Sequence, residues 1–350
     1  MWSPNRNIPS IFAPSKKKKS KGERMYCDPA APRVAVILPC YNEEAAIGQV
    51  VHDFMAVLPN AEVYVYDNNS TDRTIERARA AGAVVRSEYR QGKGNVVRRM
   101  FADVDADIYV LADGDGTYDA PSAVQMIEKL ANENLDMVVG SRLSTFEEQA
   151  FRRGHRFGND LLTGCLGLFF GRTFTDILSG YRVFSRRYVK SFPALAAGFE
   201  TETELSVHAL ELRMPTAEVV TPYKERPAGS ASKLRTFRDG WRILLTILNL
   251  FKEERPLAFF SIIAGLFAIT SVILAYPIFV TYLNTGLVPR FPTAILSTGL
   301  MILACLSLTC GFILDTVTRG RREMKRLFYL SLPIRLGESP AHSQEKTLSV

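Results

Sequence analysis

The chain lacks most of the short motifs that betray a common function. Its five cysteines, Cys27, Cys40, Cys165, Cys305 and Cys310, are scattered, with no CxxC pair. That excludes a disulfide framework and a zinc site, and fits a reducing compartment. No GxGxxG follows the first apolar run and no Walker A loop occurs, so neither a dinucleotide fold nor a P-loop is expected. The net charge is +7, yet no aromatic-interleaved basic platform accompanies it, so no nucleic-acid partner is expected. The N-terminus is polar and proline-bearing with no apolar core region, so no signal peptide is expected.

What is abundant is apolar length near the C-terminus. Leu257–Leu283 and Thr293–Leu314 are two uncharged runs, each long enough for the roughly 20 residues that cross a bilayer. The linker 284–292 holds one charge, Arg290, while both outer flanks are rich in Lys and Arg. The positive-inside rule then puts both flanks in the cytoplasm. Residues 239–255 (DGWRILLTILNLFKEER) space Trp241, Leu244, Leu245, Leu248 and Phe251 at nearly helical intervals, between basic residues. This suits an interfacial helix ahead of the first span; a helix packed on the preceding domain stays open.

Upstream, strands and helices alternate. Strands are expected at Arg33–Leu38, Glu62–Tyr66, Val84–Ser87, Asp107–Ala112 and Leu135–Val139. Between them, Ile47, Val50, Val51, Phe54 and Leu58 recur at helical spacing, as do Val124, Ile127, Leu130 and Ala131. Such alternation argues an α/β domain with a mostly parallel sheet and helices on both faces. The expected division is a disordered basic segment (1–31), a catalytic domain (32–235), a juxtamembrane helix (236–255), two transmembrane helices (256–316) and a basic cytoplasmic tail (317–350).

The organising stretch is 109–119, YVLADGDGTYD: an apolar strand ending in Asp113-Gly114-Asp115-Gly116. Ligands of open α/β sheets bind at the C-terminal ends of strands. Two carboxylates one residue apart can grip a hard cation that shares its other ligands with substrate phosphates. The stretch reads as a metal–diphosphate site; a solvated acidic turn is the competing reading.

The motifs VAVILPCYNEE, VYDNNSTD, GKGNVVR, LADGDG, GSR, DILSGYR, GFETETEL and GSASKL, in that order, resemble the inverting family 2 glycosyltransferases of the GT-A (Rossmann-like) fold. They are most similar to the polyprenyl-phosphate branch that includes dolichyl-phosphate mannose synthase, and the likeness runs from about Arg33 to Arg255. The resemblance implies Mg²⁺ or Mn²⁺ on Asp113 and Asp115, with Asp113 reaching it through water or ribose as an alternative. It implies a nucleotide-sugar site from Pro39, Tyr41, Glu43, Asp67, Lys93, Asp113 and Lys233. Asn68 departs from the family's frequent Asp-Asp pair, which leaves base preference open. Lys93 either touches the diphosphate or caps the sheet edge. Ser141, Arg142, Arg152, Arg156, Ser179 and Arg235 are candidates for the acceptor phosphate, with Arg153 beside them. Lys233 and Arg235 lie in a Gly/Ser-rich loop that suits closure over bound donor, or a plain linker to the membrane. Asp113, Asp115, Asp176 and Arg182 are the expected catalytic set, Asp176 acting as a weak base or orienting Arg182. Among Glu200, Glu202 and Glu204, helical spacing keeps all three from facing one site, and His208 reads as packed or at the surface.

The expected activity is single transfer of a sugar from a UDP- or GDP-sugar to undecaprenyl or dolichyl phosphate at the cytoplasmic face of the cell inner membrane. Two spans leave room for a homo-oligomeric bundle. A glycosyltransferase with another lipid or lipid-linked saccharide acceptor, and a non-catalytic nucleotide-binding scaffold, stay open.

Overall fold

Val34–Cys40 (β1) is apolar at nearly every position, as a strand covered on both faces must be. In a computed structural model describing residues 32–142, 174–193, 201–223, 245, 248–249 and 251–333, it lies inside a seven-stranded sheet. The chain continues through α1 (Ile47–Val57), β2 (Glu62–Asp67), α2 (Thr74–Ala80), β3 (Val84–Ser87), α3 (Lys93–Asp103), β4 (Ile108–Leu111), α4 (Ser122–Asn132) and β5 (Met137–Arg142). Then come β6 (Arg182–Ser185), α5 (Arg186–Ser191), α6 (Thr201–Glu211) and β7 (Thr216–Thr221). Two long helices follow, α7 (Pro256–Thr285) and α8 (Phe291–Ser331).

The strand order is β3-β2-β1-β4-β6-β5-β7. β1 pairs in parallel with β2 (Cys40 opposite Asp67) and β4 (Ile37 opposite Leu111). Only β6 runs antiparallel, between β4 and β5, and β7 pairs in parallel with β5. The C-terminal ends of the parallel strands therefore share one edge with the start of β6, which brings the loop 174–181 there too. Alternation splits the core in two. Ile37, Tyr109 and Phe184 pack on one face with Met100, Tyr188 and Leu205; Val36, Leu38 and Val110 pack on the other with Phe54, Met126 and Leu130. The five expected strands are present, the fifth shifted to Met137–Arg142, and β6 and β7 are added to them.

His208 is packed as expected. It sits edge-on to Tyr188 and Phe192, each 5.4 Å away between ring centres, and its Nε2 lies 3.1 Å from Ser191 Oγ.

α7 and α8 are both long and apolar enough to cross a membrane, and only 11% of each apolar window is buried. A core helix of a water-soluble domain would be largely covered. The hairpin closes along small residues: Ala264 and Ser271 on α7, and Ser297, Ala304, Gly311 and Thr318 at every seventh place on α8 are buried. Seven-residue spacing keeps one seam facing the partner helix. Ser271 Oγ donates to the Ser297 carbonyl at 2.7 Å. A β-carbon at Gly311 would stand 3.1 Å from Phe260 Cβ, so the backbone approach there needs glycine.

The basic stretch after Leu314 departs from the expected tail. Instead α8 continues to Ser331 and docks on the sheet domain. Arg322, Lys325 and Tyr329 recur at three- and four-residue intervals, hence on one helix face. Arg322 Nη2 meets Glu254 Oε2 at 2.8 Å, Lys325 Nζ meets Glu211 Oε2 at 2.7 Å, and the Tyr329 hydroxyl donates to Asp136. The Arg187 guanidinium lies 4.3 Å over the Tyr329 ring while binding Asp136 through Nη2 at 2.6 Å. Burial pushes Glu254 above the usual carboxylate range, with neighbouring Glu211 adding to it. Segments 1–31, 143–173, 194–200 (with Glu200), 224–244, 246–247, 250 and 334–350 lie outside the described residues.

Candidate active site

β1 and β2 end side by side and deliver Pro39, Tyr41, Glu43 and Asp67 to one corner of the shared edge. Pro39 is half-buried, Tyr41 is exposed, and Glu43 and Asp67 are buried. Asp67 Oδ2 accepts from the Ser70 N–H at 3.1 Å, while its Oδ1 has no partner among the described residues. A buried carboxylate oxygen left open is costly unless a donor arrives. Asn42 holds φ +51°, a left-handed conformation asparagine tolerates. Its Oδ1 accepts from Thr71 N at 2.8 Å and locks the two strand-end loops together.

Asn68 does different work from an aspartate. Its amide donates to the Glu88 and Arg90 carbonyls, both at 2.8 Å, and its Oδ1 accepts from Gly92 N at 2.7 Å. A carboxylate can accept but cannot donate. The side chain thus shapes the loop that launches α3 and Lys93.

β4 delivers Asp113 and Asp115. Asp115 is buried, held by the Thr117 hydroxyl at 2.7 Å and its N–H at 3.2 Å. Gly114 between them is required: a β-carbon would fall 2.3 Å from Cys40 Sγ. Lys93 Nζ bridges Asp113 Oδ1 at 2.5 Å and Glu202 Oε1 at 2.6 Å. Burial alone would lower the ammonium's pKa, but Asp113 and Glu202 more than offset it and hold it above the ordinary lysine value. Glu202 Oε2 is buried without a partner among the described residues. Gly180 closes the cluster, donating its N–H to Tyr118 Oη at 2.9 Å. Burial and the nearby Asp113 raise the Tyr118 hydroxyl well above the usual phenol range.

Among the described residues no three His, Cys, Asp or Glu side chains converge as a metal cage. Magnesium-type ions need only one or two carboxylates when phosphates supply the rest. Asp113 and Asp115, hard oxygen donors at one strand end, fit that pattern.

On the other side of β6, Arg142 at the end of β5 meets Asp176. Nε and Nη2 donate to its two oxygens at 2.7 and 2.9 Å, and Arg142 N–H adds a third contact at 3.3 Å. Burial would weaken the guanidinium's charge, yet Asp176 more than compensates and raises its pKa. The guanidinium also lies 5.6 Å over the Tyr223 ring. Glu218 on β7 holds the loop from behind, accepting from Thr175 N at 2.7 Å and Thr175 Oγ1 at 3.0 Å.

The geometry at three expected site residues differs from the open side chains the sequence suggests. Arg182 is fully buried. It donates to the carbonyls of Ser179 (2.9 Å), Ile177 (2.6 Å) and Glu202 (3.0 Å), and burial lowers its pKa. Asp176 therefore orients Arg142, and Arg182 ties the loop to α6. Ser179 is likewise consumed, its Oγ donating to the Gly140 carbonyl at 2.6 Å. Ser141 is buried at the end of β5. Arg152, Arg153, Arg156, Lys233 and Arg235 lie outside the described residues.

Sequence reasoning missed Tyr118, Glu218 and Tyr223. Tyr118 falls within the organising stretch, so its position was visible; its stacking on Tyr181, 5.0 Å between ring centres, needed the fold. Glu202 carried a signal, an acidic residue at a helix start beside the edge, but its link to Lys93 joins two helices that are distant in sequence and share one face of the sheet.

The family model described as Glycosyl transferase family 2 matches residues 35–192. An uncharacterized protein of Shigella flexneri is 61% identical over 155 residues, 44% of this chain and 95% of that protein. The glycosyltransferase AglJ of Haloferax volcanii is 36% identical over 255 residues, covering 73% of this chain and 83% of its own. A dolichyl-phosphate hexose transferase of the same organism is 31% identical over 222 residues, 63% of this chain and 95% of that one. Among solved structures, glucosyl-3-phosphoglycerate synthase of Mycobacterium tuberculosis aligns with a TM-score of 0.50 and 28% identity, over 62% of this chain and 81% of that chain.

Proposed function

The chain belongs to glycosyl transferase family 2 and is a glycosyltransferase, and on that premise we propose that it moves one sugar from a UDP- or GDP-sugar to a polyprenyl phosphate at the cytoplasmic face of a membrane. The observation that carries this reading is the continuity of α8. One helix runs from a membrane-length apolar segment into contacts with the catalytic domain, Lys325 on Glu211 and Tyr329 on Asp136, which tethers that domain to the hairpin. A lipid acceptor explains why a site at a sheet edge is built onto such a hairpin. The relative named dolichyl-phosphate hexose transferase supports the same acceptor class, and the basic flanks support the cytoplasmic side.

In this reading Asp67 Oδ1 takes an N–H of the nucleobase, and Tyr41 and Glu43 border the nucleoside. Asp113 and Asp115 hold Mg²⁺ or Mn²⁺, which when bound neutralises charge on the leaving diphosphate. The third N–H of Lys93 is available to a phosphate oxygen. Arg142, fixed by Asp176, receives the acceptor phosphate, with Arg152, Arg156 and Arg235 assigned to the same anion and Lys233 to the donor. The acceptor oxygen attacks the anomeric carbon as the bond to the nucleoside diphosphate breaks, inverting that centre. A phosphate monoester loses its second proton near pH 6, so no strong general base is needed and positioning carries the rate.

The test is transfer of radiolabelled sugar from a panel of UDP- and GDP-sugars into an organic-extractable product. It uses full-length protein, Mg²⁺ or Mn²⁺ and a short polyprenyl phosphate, with Asp115→Ala alongside. A mild-acid-labile labelled lipid, absent in the variant, is expected. Label in another lipid, or none with any donor, overturns the acceptor assignment.

A further inference from the structure

Lys93 does more than line the site. Its ammonium occupies Asp113 Oδ1, one of the oxygens the proposed cation needs, at 2.5 Å. The other oxygen faces Gly180, where the absence of a side chain matters: a β-carbon there would lie 2.9 Å from Asp113 Oδ2, 3.1 Å from Lys93 Nζ and 3.2 Å from Tyr118 Oη. The ammonium is not free to drift, since Glu202 Oε1 holds it from the far side at 2.6 Å. The Lys93 side chain is 14% exposed, that of Glu202 8% and that of Asp113 28%, so the Lys93–Glu202 contact is the better sheltered from screening and Asp113 is the end open to an incoming ligand.

We propose that Lys93 is a built-in counter-ion that keeps Asp113 closed to divalent cations in the free enzyme and releases it when a nucleoside diphosphate arrives. The inference rests on Asp113 and Asp115 being the cation site. An ammonium and a divalent cation on the same carboxylate repel each other strongly where the dielectric is low. A diphosphate brings new anionic oxygens within reach. The ammonium exchanges Asp113 for a phosphate oxygen while Glu202 retains it, and Asp113 Oδ1 is freed. Cation binding thereby becomes conditional on donor, and a site without donor stays neutralised by its own lysine. Glu202 is the tether in this exchange, a positioning residue acting through Lys93.

The test reads Mn²⁺ binding directly, by loss of the free-ion electron paramagnetic resonance signal, with full-length protein in detergent. Wild type, Lys93→Met, Lys93→Gln and Lys93→Arg are titrated with Mn²⁺ alone and with UDP or GDP. Without nucleotide, Lys93→Met and Lys93→Gln are expected to bind Mn²⁺ about tenfold more tightly than wild type, within the usual range of site-to-site coupling. Lys93→Arg keeps the charge and stays closed. The gain disappears when Asp113→Asn is added, because the oxygen being guarded is gone. Equal Mn²⁺ affinity of wild type and both neutral variants, each shown to be folded by its thermal transition, overturns the proposal. Failure of the underlying site looks different: Asp115→Ala then leaves Mn²⁺ binding unchanged in every background, with or without nucleotide.

Discussion

Asp176 grips Arg142 at two points, with Nε at 2.7 Å and Nη2 at 2.9 Å from its two oxygens. Both partners are mostly buried, at 12% and 17% side-chain exposure, so the pair is sheltered from solvent screening. A carboxylate with both oxygens committed to one guanidinium is well placed to hold that cation still.

Asp176→Asn should therefore loosen Arg142 rather than remove a base. Misplacing a charged group by about 1 Å can cost on the order of a hundredfold. We expect a fall of that size in kcat/KM for the acceptor, with the shape of the pH–rate profile kept. Steady-state kinetics from pH 6 to 9 checks this. A lost basic limb in the variant would restore the base role.

Arg182 should behave as a structural residue. Its three carbonyl partners are buried, and each loses a donor when the guanidinium is removed. An unsatisfied buried group costs about 1–3 kcal/mol, so Arg182→Met should destabilise by roughly 3 kcal/mol or more. Thermal unfolding measures the loss. Arg182→Lys, with fewer donors, should recover only part of it.

Gly114→Ala should fail for a local reason with a local cure. The new methyl meets Cys40 Sγ, buried beneath it. Overpacking of this kind costs about 1–3 kcal/mol. The double variant Gly114→Ala with Cys40→Ala should recover stability relative to Gly114→Ala alone, which unfolding midpoints of the four proteins would show. Additive losses would mean the clash lies elsewhere.

His208 should make the domain acid-sensitive. Burial, aided by Lys325, lowers its pKa from 6.5 to about 3. The unfolded chain takes a proton below about pH 6.5 while the folded chain declines it. The stabilisation is thus whole above that pH and lost as pH falls toward 3. At about 1.4 kcal/mol per pKa unit, the full span amounts to roughly 5 kcal/mol. The unfolding midpoint should drop less steeply between pH 7 and 4.5 in His208→Gln than in wild type.

β1, β2, β4 and β5 were legible because each is an apolar run followed within a few residues by Gly, Asn or Asp. β6 was hidden. It is four residues long and opens on Arg182, which sequence logic assigns to solvent or to chemistry; three backbone carbonyls make its burial possible. β7, Thr216–Thr221, mixes polar and apolar positions as an edge strand does. Within the site, the Asp113–Asp115 pair and the Asp67 corner could be read from strand ends. The Lys93–Glu202 and Arg142–Asp176 pairs could not, because their partners are separated in sequence and meet only once the sheet edge is assembled. Asn68 was visible as a departure, but its meaning lay in the backbone of residues 88–92. The charges after Leu314 looked like a tail because their partners, Glu211, Glu254 and Asp136, lie upstream.

The unbroken course of α8 makes its length a matter of phase. Each residue of an α-helix advances the rod by about 1.5 Å and turns it by about 100°. One residue inserted between Gly311 and Arg322 would swing Arg322, Lys325 and Tyr329 off their partners while the seam at Ser297, Ala304 and Gly311 stayed in place. Seven would restore the bearing to within about 20° but lift the domain by two turns. The helix thus acts as a ruler with widely spaced marks, on which the sheet domain can stand at only a few distances from the apolar hairpin.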